Sequence, residues 1–199
     1  MTLLIDALPV VAPADTVPGP PQGRWTHADL ATLPDDSRHY EILQGVLYMR
    51  SAPNIAHQAA DRWFVFYLTM HVQVTGLGQV FGPPCDVELS PHDVVQPDVI
   101  VVLNAHAEII TVSHIVGTPD LVVEIASPST AGYDRRGKQD TYARAGVPEY
   151  WVADLAARTV EVLILHEGAY RSLGAFQGGA TLPSQVALGL PVRVEQFFA

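Results

Sequence analysis

The chain has 199 residues, 48% of them apolar and only 16% charged, with 16 prolines and 15 glycines. Such a composition describes a turn-rich globular protein with one sizeable core, and it excludes both a disordered chain and a second full catalytic domain. The net charge of -10 repels phosphate at long range and speaks against charge-driven nucleic-acid binding, while a lone cysteine, Cys85, excludes an internal disulfide.

Residues 1 to 23 carry Pro9, Pro13, Pro18, Pro20 and Pro21 with little periodicity, so a flexible arm is expected ahead of a single domain spanning residues 24 to 199. The opening apolar run lacks a basic start, and Asp6 and Pro9 interrupt it, which does not match a signal peptide. No apolar stretch approaches the roughly 20 residues that span a bilayer. A cytoplasmic protein without membrane contact is expected.

"THADLATLP" predicts a short helix with Thr26 as its N-cap, Asp29 in the first turn and Pro34 as the stop. "HYEILQGVLYMRS" alternates as a strand pair joined by a tight turn at Gln44 and Gly45, with His39, Glu41 and Leu43 on one face. From Asn54 to Thr75 runs the one long helical pattern, with an apolar stripe of Ile55, Ala59, Trp63, Phe66, Met70 and Val74, and Gly76 as its C-terminal cap.

"GQVFGPPCDVELS", "QPDVIVVL" and "PDLVVEIAS" follow as strands, the latter two almost wholly apolar and therefore expected in the middle of a sheet covered on both faces. A connection with a helical turn separates these two. A helix over residues 134 to 145, closed by Gly146 and Pro148, precedes two or three further strands, and "VRVEQFF" ends the chain as a short helix or strand. The fold class is α/β in the broad sense: a mixed sheet flanked by two or three helices.

Both central strands hold an acid. Asp98 opens "PDVIVVL" and Glu124 lies inside "LVVEIAS", and a carboxylate in such surroundings is costly unless a cation, a hydrogen-bond network or a metal compensates it. Strand parity sets Glu124 on a face with Val122 and Ala126, and Asp98 on a face with Ile100 and Val102. If the strands are neighbours, the two acids converge and offer hard oxygen ligands suited to Mg2+ or Mn2+. Turn capping by Asp98 and pairing of Glu124 with an arginine are the plainer alternatives.

Ten of the eleven basic residues are arginine, which leaves Lys138 as the only lysine. Helical phase puts it close in angle to Tyr142 and Ala145, on the less polar face, with Arg136, Asp140 and Arg144 opposite. An ammonium presented inward can orient a water or an oxyanion, or simply lay its stem along the core. Arg135, Arg136, Lys138 and Arg144 also make the densest positive patch of the chain.

His57 lies at the border of the long helix's apolar stripe, where it either contacts phosphate or a metal's water, or serves structure alone. It stands roughly 21 Å along the axis from His71, too far for the two to share an ion. Ser127 and Ser129, in "SPST" after Glu124, are candidates for phosphate binding or for helix capping.

The runs "YEILQG", "QPDVIVV", "PDLVVEIASPST" and "KQDTYARAGVPEYWV" resemble the Uma family, bacterial proteins described as restriction endonucleases within the PD-(D/E)XK nuclease superfamily. The likeness covers about residues 25 to 199. It implies a restriction-endonuclease-like fold, a Mg2+ or Mn2+ cofactor and DNA as the substrate.

It further implies Asp98 as the first metal ligand, Glu124 as the second and the Ile125 carbonyl as a third, with Glu41 completing the ligands or orienting a water. The superfamily pattern sets a lysine two residues after the strand acid, but Ala126 stands there. Lys138 then fills that role from the following helix, and Glu41, Asp98, Glu124 and Lys138 form the expected catalytic set. His57, Ser127, Ser129, Arg135, Arg136 and Tyr142 are the accompanying candidates for substrate binding.

The leading expectation is a metal-dependent endonuclease that hydrolyses DNA phosphodiester bonds as a homodimer. Two rivals stay open: a non-catalytic dimeric interaction module on a nuclease fold, and a metal-dependent hydrolase of a smaller phosphorylated substrate.

Overall fold

Thr26 opens the first helix by giving both its backbone N–H and its hydroxyl to Asp29 Oδ2, at 2.9 and 2.6 Å. That capping arrangement starts helix α1, His27–Leu30. The computed structural model describes residues 13–34, 38–50, 53–126 and 137–199.

Strands β1 (His39–Leu43) and β2 (Val46–Arg50) then form the expected hairpin. Gln44 and Gly45 turn it with φ of 52° and 72°, the left-handed pair that matches the twist of the flanking strands. Gly45 is also needed for space: a Cβ there would lie 2.4 Å from the Gly23 carbonyl group. Gly23 and Trp25 both donate their N–H to the Gly45 carbonyl oxygen.

Of the stretch expected as a flexible arm, residues 13–23 are described, and they lie along this hairpin. Ala14 N–H donates to the Leu47 carbonyl at 2.8 Å, and Leu47 N–H donates back to Gln22 Oε1 at 2.8 Å. Ala14, Trp25, Ile42, Leu47 and Val94 close over one another as a small outer core.

The long helix α2 spans Ile55–Leu68 and continues as a π-helical turn, Thr69–Gln73. Asn54 caps it by accepting the His57 N–H, and Gly76, at φ 77°, follows its end. Its phase differs from the expected one. The buried residues are Ala60, Phe64, Leu68 and Val72, whereas Ile55, Phe66, Met70 and Val74, four members of the predicted stripe, are exposed. This segment is apolar on nearly every side, so periodicity alone could not choose which stripe meets the sheet.

Strands β3 (Gly78–Phe81), β4 (Val87–Ser90), β5 (Asp93–Val95), β6 (Val99–Leu103), β7 (Ile115–Val116) and β8 (Leu121–Ala126) follow, with a 3-10 segment at Asn104–Ile109. After helix α3 (Gln139–Ala145) come β9 (Glu149–Asp154), β10 (Thr159–His166), β11 (Ala169–Gln177) and a final 3-10 turn, Val194–Phe198.

The strands divide into two mixed sheets where one was expected. Six strands run in the order β11-β10-β9-β8-β6-β3 and five in the order β2-β1-β5-β4-β7. One face of the six-stranded sheet packs on α2 and the C-terminal turn through Val99, Val101, Val123, Phe64 and Phe197. The other face, with Ile100, Val102, Val122 and Val152, packs on the five-stranded sheet and on Tyr142 of α3. That double covering is why β6 and β8 read as continuous apolar runs. Among the described residues, no helix is long and apolar enough to cross a membrane.

Phe64 is fully buried and stacks on Phe197 with ring centroids 4.2 Å apart, whereas Phe66 is 47% exposed. Phe64→Ala should therefore cost about 3–5 kcal/mol of stability. Phe66→Ala should cost less than about 1 kcal/mol, both read from urea unfolding midpoints.

Candidate active site

Strands β6 and β8 run antiparallel with Val99 opposite Val123 and Ile100 opposite Val122. One step further along the same register, Asp98 falls opposite Glu124. Both acids then share the face of Ile100, Val102 and Val122, which looks toward the five-stranded sheet. Asp98 Oδ2 accepts the Ile125 N–H at 2.7 Å, so Ile125 joins the site through its amide.

Glu41 arrives from β1 in the opposing sheet. Its Oε1 accepts the backbone N–H of Gln96, in the segment between β5 and β6, at 2.8 Å. The third wall is the start of α3. Lys138 Nζ lies 2.8 Å from Glu41 Oε1 and 3.0 Å from Glu124 Oε1, and the Tyr142 hydroxyl donates to that same Glu124 oxygen at 2.6 Å.

Lys138 is 0% exposed. Tyr142, expected among substrate contacts, is equally buried and gives its hydroxyl to Glu124. Ala126, where the superfamily pattern would have its lysine, ends β8.

Asp98 has its own cations. His57 Nε2 stands 3.2 Å from Oδ2, and Arg50 Nη2 stands 3.6 Å from Oδ1. Arg50 also reaches Glu41 Oε1 with Nη1, at 3.5 Å, and donates to the Gln96 carbonyl. His57 extends toward this centre from the first turn of α2, one turn before the buried Ala60 and two before Phe64. Ser127, Ser129, Arg135 and Arg136 lie outside the described residues.

Three residues of this neighbourhood were not predicted. Arg50 stands opposite His39 in the hairpin, on the same side as Glu41, and strand parity across the turn would have found it. Asp61 follows His57 by one helical turn, and its buried Oδ1 has no hydrogen-bond partner. Gln96 acts chiefly through its backbone, which leaves no side-chain signature.

The acids titrate differently. Burial pushes the Glu41 carboxyl upward, but Lys138 and Arg50 beside it outweigh that and hold it below its usual value. Burial acts likewise on Asp98, where the hydrogen bond and charge of His57, then Arg50 and the Ile125 N–H, win and lower it. At Glu124 burial prevails over Lys138, and with the charge of Asp98 it raises the carboxyl to about 7. Burial and Asp98 raise Asp61 to about 6. His57 is raised, since its bond to Asp98 and that acid's charge exceed the cost of burial.

Three carboxylates from three strands supply the hard oxygen donors that suit Mg2+ or Mn2+, and Glu124 carries negative charge at neutral pH only with difficulty. The chemistry of these donors suits a divalent cation. Asp61, with one oxygen left without a partner, adds to the local excess of acid.

A family model, Uma2, described as "Putative restriction endonuclease", matches residues 27–195. Among solved structures the fold is similar to one described as a "putative nuclease belonging to DUF820" from Anabaena variabilis, with a TM-score of 0.71 and 18% identity over 87% of this chain and 97% of that one. No curated protein matches the chain. The structural neighbour shows the fold, and the match over residues 27–195 establishes that the chain belongs to the Uma2 family, whose description is that of a restriction endonuclease.

Proposed function

We propose that the protein is a divalent-metal-dependent endonuclease that hydrolyses DNA phosphodiester bonds. One observation carries the reading: Lys138, from a helix, bridges Glu41 and Glu124 within 3.0 Å, while Asp98 falls in register beside Glu124. The acid and lysine set is thereby assembled without a lysine on β8.

Asp98, Glu124 and the Ile125 carbonyl would hold Mg2+ or Mn2+, with Glu41 completing the ligands or orienting a water. The ion, when bound, supplies Lewis acidity toward the phosphoryl oxygens and an acidified water. The Lys138 ammonium, held between Glu41 and Glu124, would serve the attacking water or the developing phosphorane charge. Arg50 steadies Glu41 and Asp98 together, and His57 fixes the orientation of Asp98.

Ser127, Ser129, Arg135 and Arg136 are the groups proposed to grip flanking phosphates. The overall charge of -10 opposes DNA at a distance, but screening limits that field to about 8 Å at physiological salt. One set of acids per chain cuts one strand, so a cytoplasmic homodimer completes the reading.

Cleavage of single-stranded, duplex and branched DNA with Mn2+ tests this directly. Lys138→Ala should slow the chemical step about 100- to 1,000-fold, and Asp98→Ala should abolish Mn2+ binding measured by calorimetry. Wild type that binds neither Mn2+ nor Mg2+ removes the catalytic reading, as does cleavage undiminished in Lys138→Ala. Metal binding with cleavage of small phosphoesters alone would favour the hydrolase of a smaller substrate.

A second outcome follows from Glu124. Its carboxyl is raised on folding from 4.5 to about 7, so its stabilising contribution is full below 4.5 and is lost as pH climbs through 7. Wild type should lose stability relative to Glu124→Gln between pH 5 and pH 8, in paired urea titrations. Metal affinity should rise over pH 6 to 8 with about one proton released per ion.

A further inference from the structure

Away from the acid and lysine set, three other side chains converge. His27 opens α1, Glu88 lies in β4, and His114 stands immediately before β7. One potential ligand atom from each lies within 4.8 Å of the other two. His114 Nε2 is 3.2 Å from Glu88 Oε2, and His27 Nδ1 is 3.9 Å from the same oxygen.

We propose that His27, Glu88 and His114 form a second metal site, for a borderline transition-metal ion such as Zn2+, that ties the first helix to the five-stranded sheet. A four-coordinate ion with bonds of about 2.0–2.2 Å holds neighbouring ligand atoms about 3.3 Å apart. The two separations from Glu88 bracket that value from close by. Two imidazoles and one carboxylate suit Zn2+, where the all-oxygen donors of the other centre suit Mg2+ or Mn2+.

The residues behind these ligands carry the inference further. A histidine that binds a metal through one nitrogen commonly engages its other nitrogen with a carboxylate, hydroxyl or carbonyl, which fixes the ring and its tautomer. His114 meets that condition with a hydrogen-bond contact, and His27 turns its other nitrogen to an acid at ion-pair distance. His114 Nδ1 is 2.8 Å from Ser113 Oγ, and His27 Nε2 is 3.6 Å from Asp86 Oδ2. His114 Nε2 and His27 Nδ1 are then the nitrogens left facing Glu88.

The supports are firm on all three elements. Asp29 caps α1, the Ile115 N–H donates to the Asp86 carbonyl, and Thr111 and His114 exchange hydrogen bonds across the turn before β7. The ligand side chains are 14 to 25% exposed, which dehydrates the donors while leaving an approach for an ion.

The two imidazoles stack face to face, with centroids 3.9 Å apart and planes 21° from parallel. Ring-plane lone pairs do not converge in a stack. Binding must therefore tilt the rings apart, and their proton signals report it.

The centre is also wired to the carboxylate site. Asp86, behind His27, accepts the Gln96 side-chain amide at 2.6 Å, and the Gln96 backbone N–H holds Glu41.

Calorimetry of the full, chelator-stripped chain with Zn2+ should give one ion per chain in wild type and in Asp98→Asn. Binding should be lost in His27→Gln and His114→Gln, and weakened about 10- to 100-fold in Ser113→Ala, which leaves all three ligands in place. Proton NMR of the wild type, which needs no variant to fold, should show Zn2+ shifting the His27 and His114 ring signals while His57 stays still. Absence of Zn2+ binding by wild type would overturn the inference. So would binding that survives both histidine substitutions, or that vanishes in Asp98→Asn with only His57 moving. None of these outcomes depends on nuclease activity, so failure here and failure of the nuclease reading are separable.

Discussion

The structure turns on one buried ammonium. Lys138 has no exposure, and Glu41 and Glu124, both within 3.0 Å of it, compensate the cost of burying its charge. Those two acids belong to different sheets, and the lysine belongs to α3. A single charge therefore joins the five-stranded sheet, the six-stranded sheet and the helix at one point. The apolar core between the sheets, built from residues such as Leu43, Val95, Ile100 and Val122, supplies the burial that makes the ion pairs matter.

Around that point the charges alternate so that no carboxylate lacks a cation, yet the acids are not equivalent. Lys138 and Arg50 hold Glu41 ionised, and His57 with Arg50 does the same for Asp98. Glu124 shares Lys138 with Glu41, and burial together with the charge of Asp98 outweighs that lysine and raises its carboxyl to about 7. Because the lysine comes from the start of α3, Ala126 at the end of β8 carries no charge, and the ammonium reaches the acids from the third wall.

Much of this was legible in the residues. Near-continuous β-branched runs identified β6 and β8 as central strands, and parity put Asp98 with Ile100 and Glu124 with Val122, as the ladder has them. The uniqueness of Lys138 and its phase with Tyr142 pointed both residues inward, where both are buried. The phase of α2 was not legible, because Phe66 and Met70 look as core-like as Phe64 and Leu68 until the sheet is known. Arg50, Asp61 and Gln96 share a different cause. Their roles arise from a hairpin register, a helix docked against Asp98 and a backbone amide, and none of these leaves a chemical pattern along the chain.

The tripeptide "QPD" gains a physical meaning from this geometry. Pro97 has no N–H to give a ladder and biases the residue before it toward an extended conformation. The strand pairing of β5 is thereby ended, and the backbone of Gln96 is released to work sideways: its N–H holds Glu41 and its carbonyl holds Arg50. Two residues later Asp98, immediately before β6, takes the Ile125 amide from the neighbouring strand. The Gln96 side chain meanwhile grips Asp86, at the edge of the cluster of His27, Glu88 and His114. Three consecutive residues thus fix one acid, present a second and connect the site to the helix that begins the domain. Replacing Pro97 with a residue that can extend the β5 ladder would compete with all three tasks at once, which ties this spacing to the shape of the site and not to any single contact.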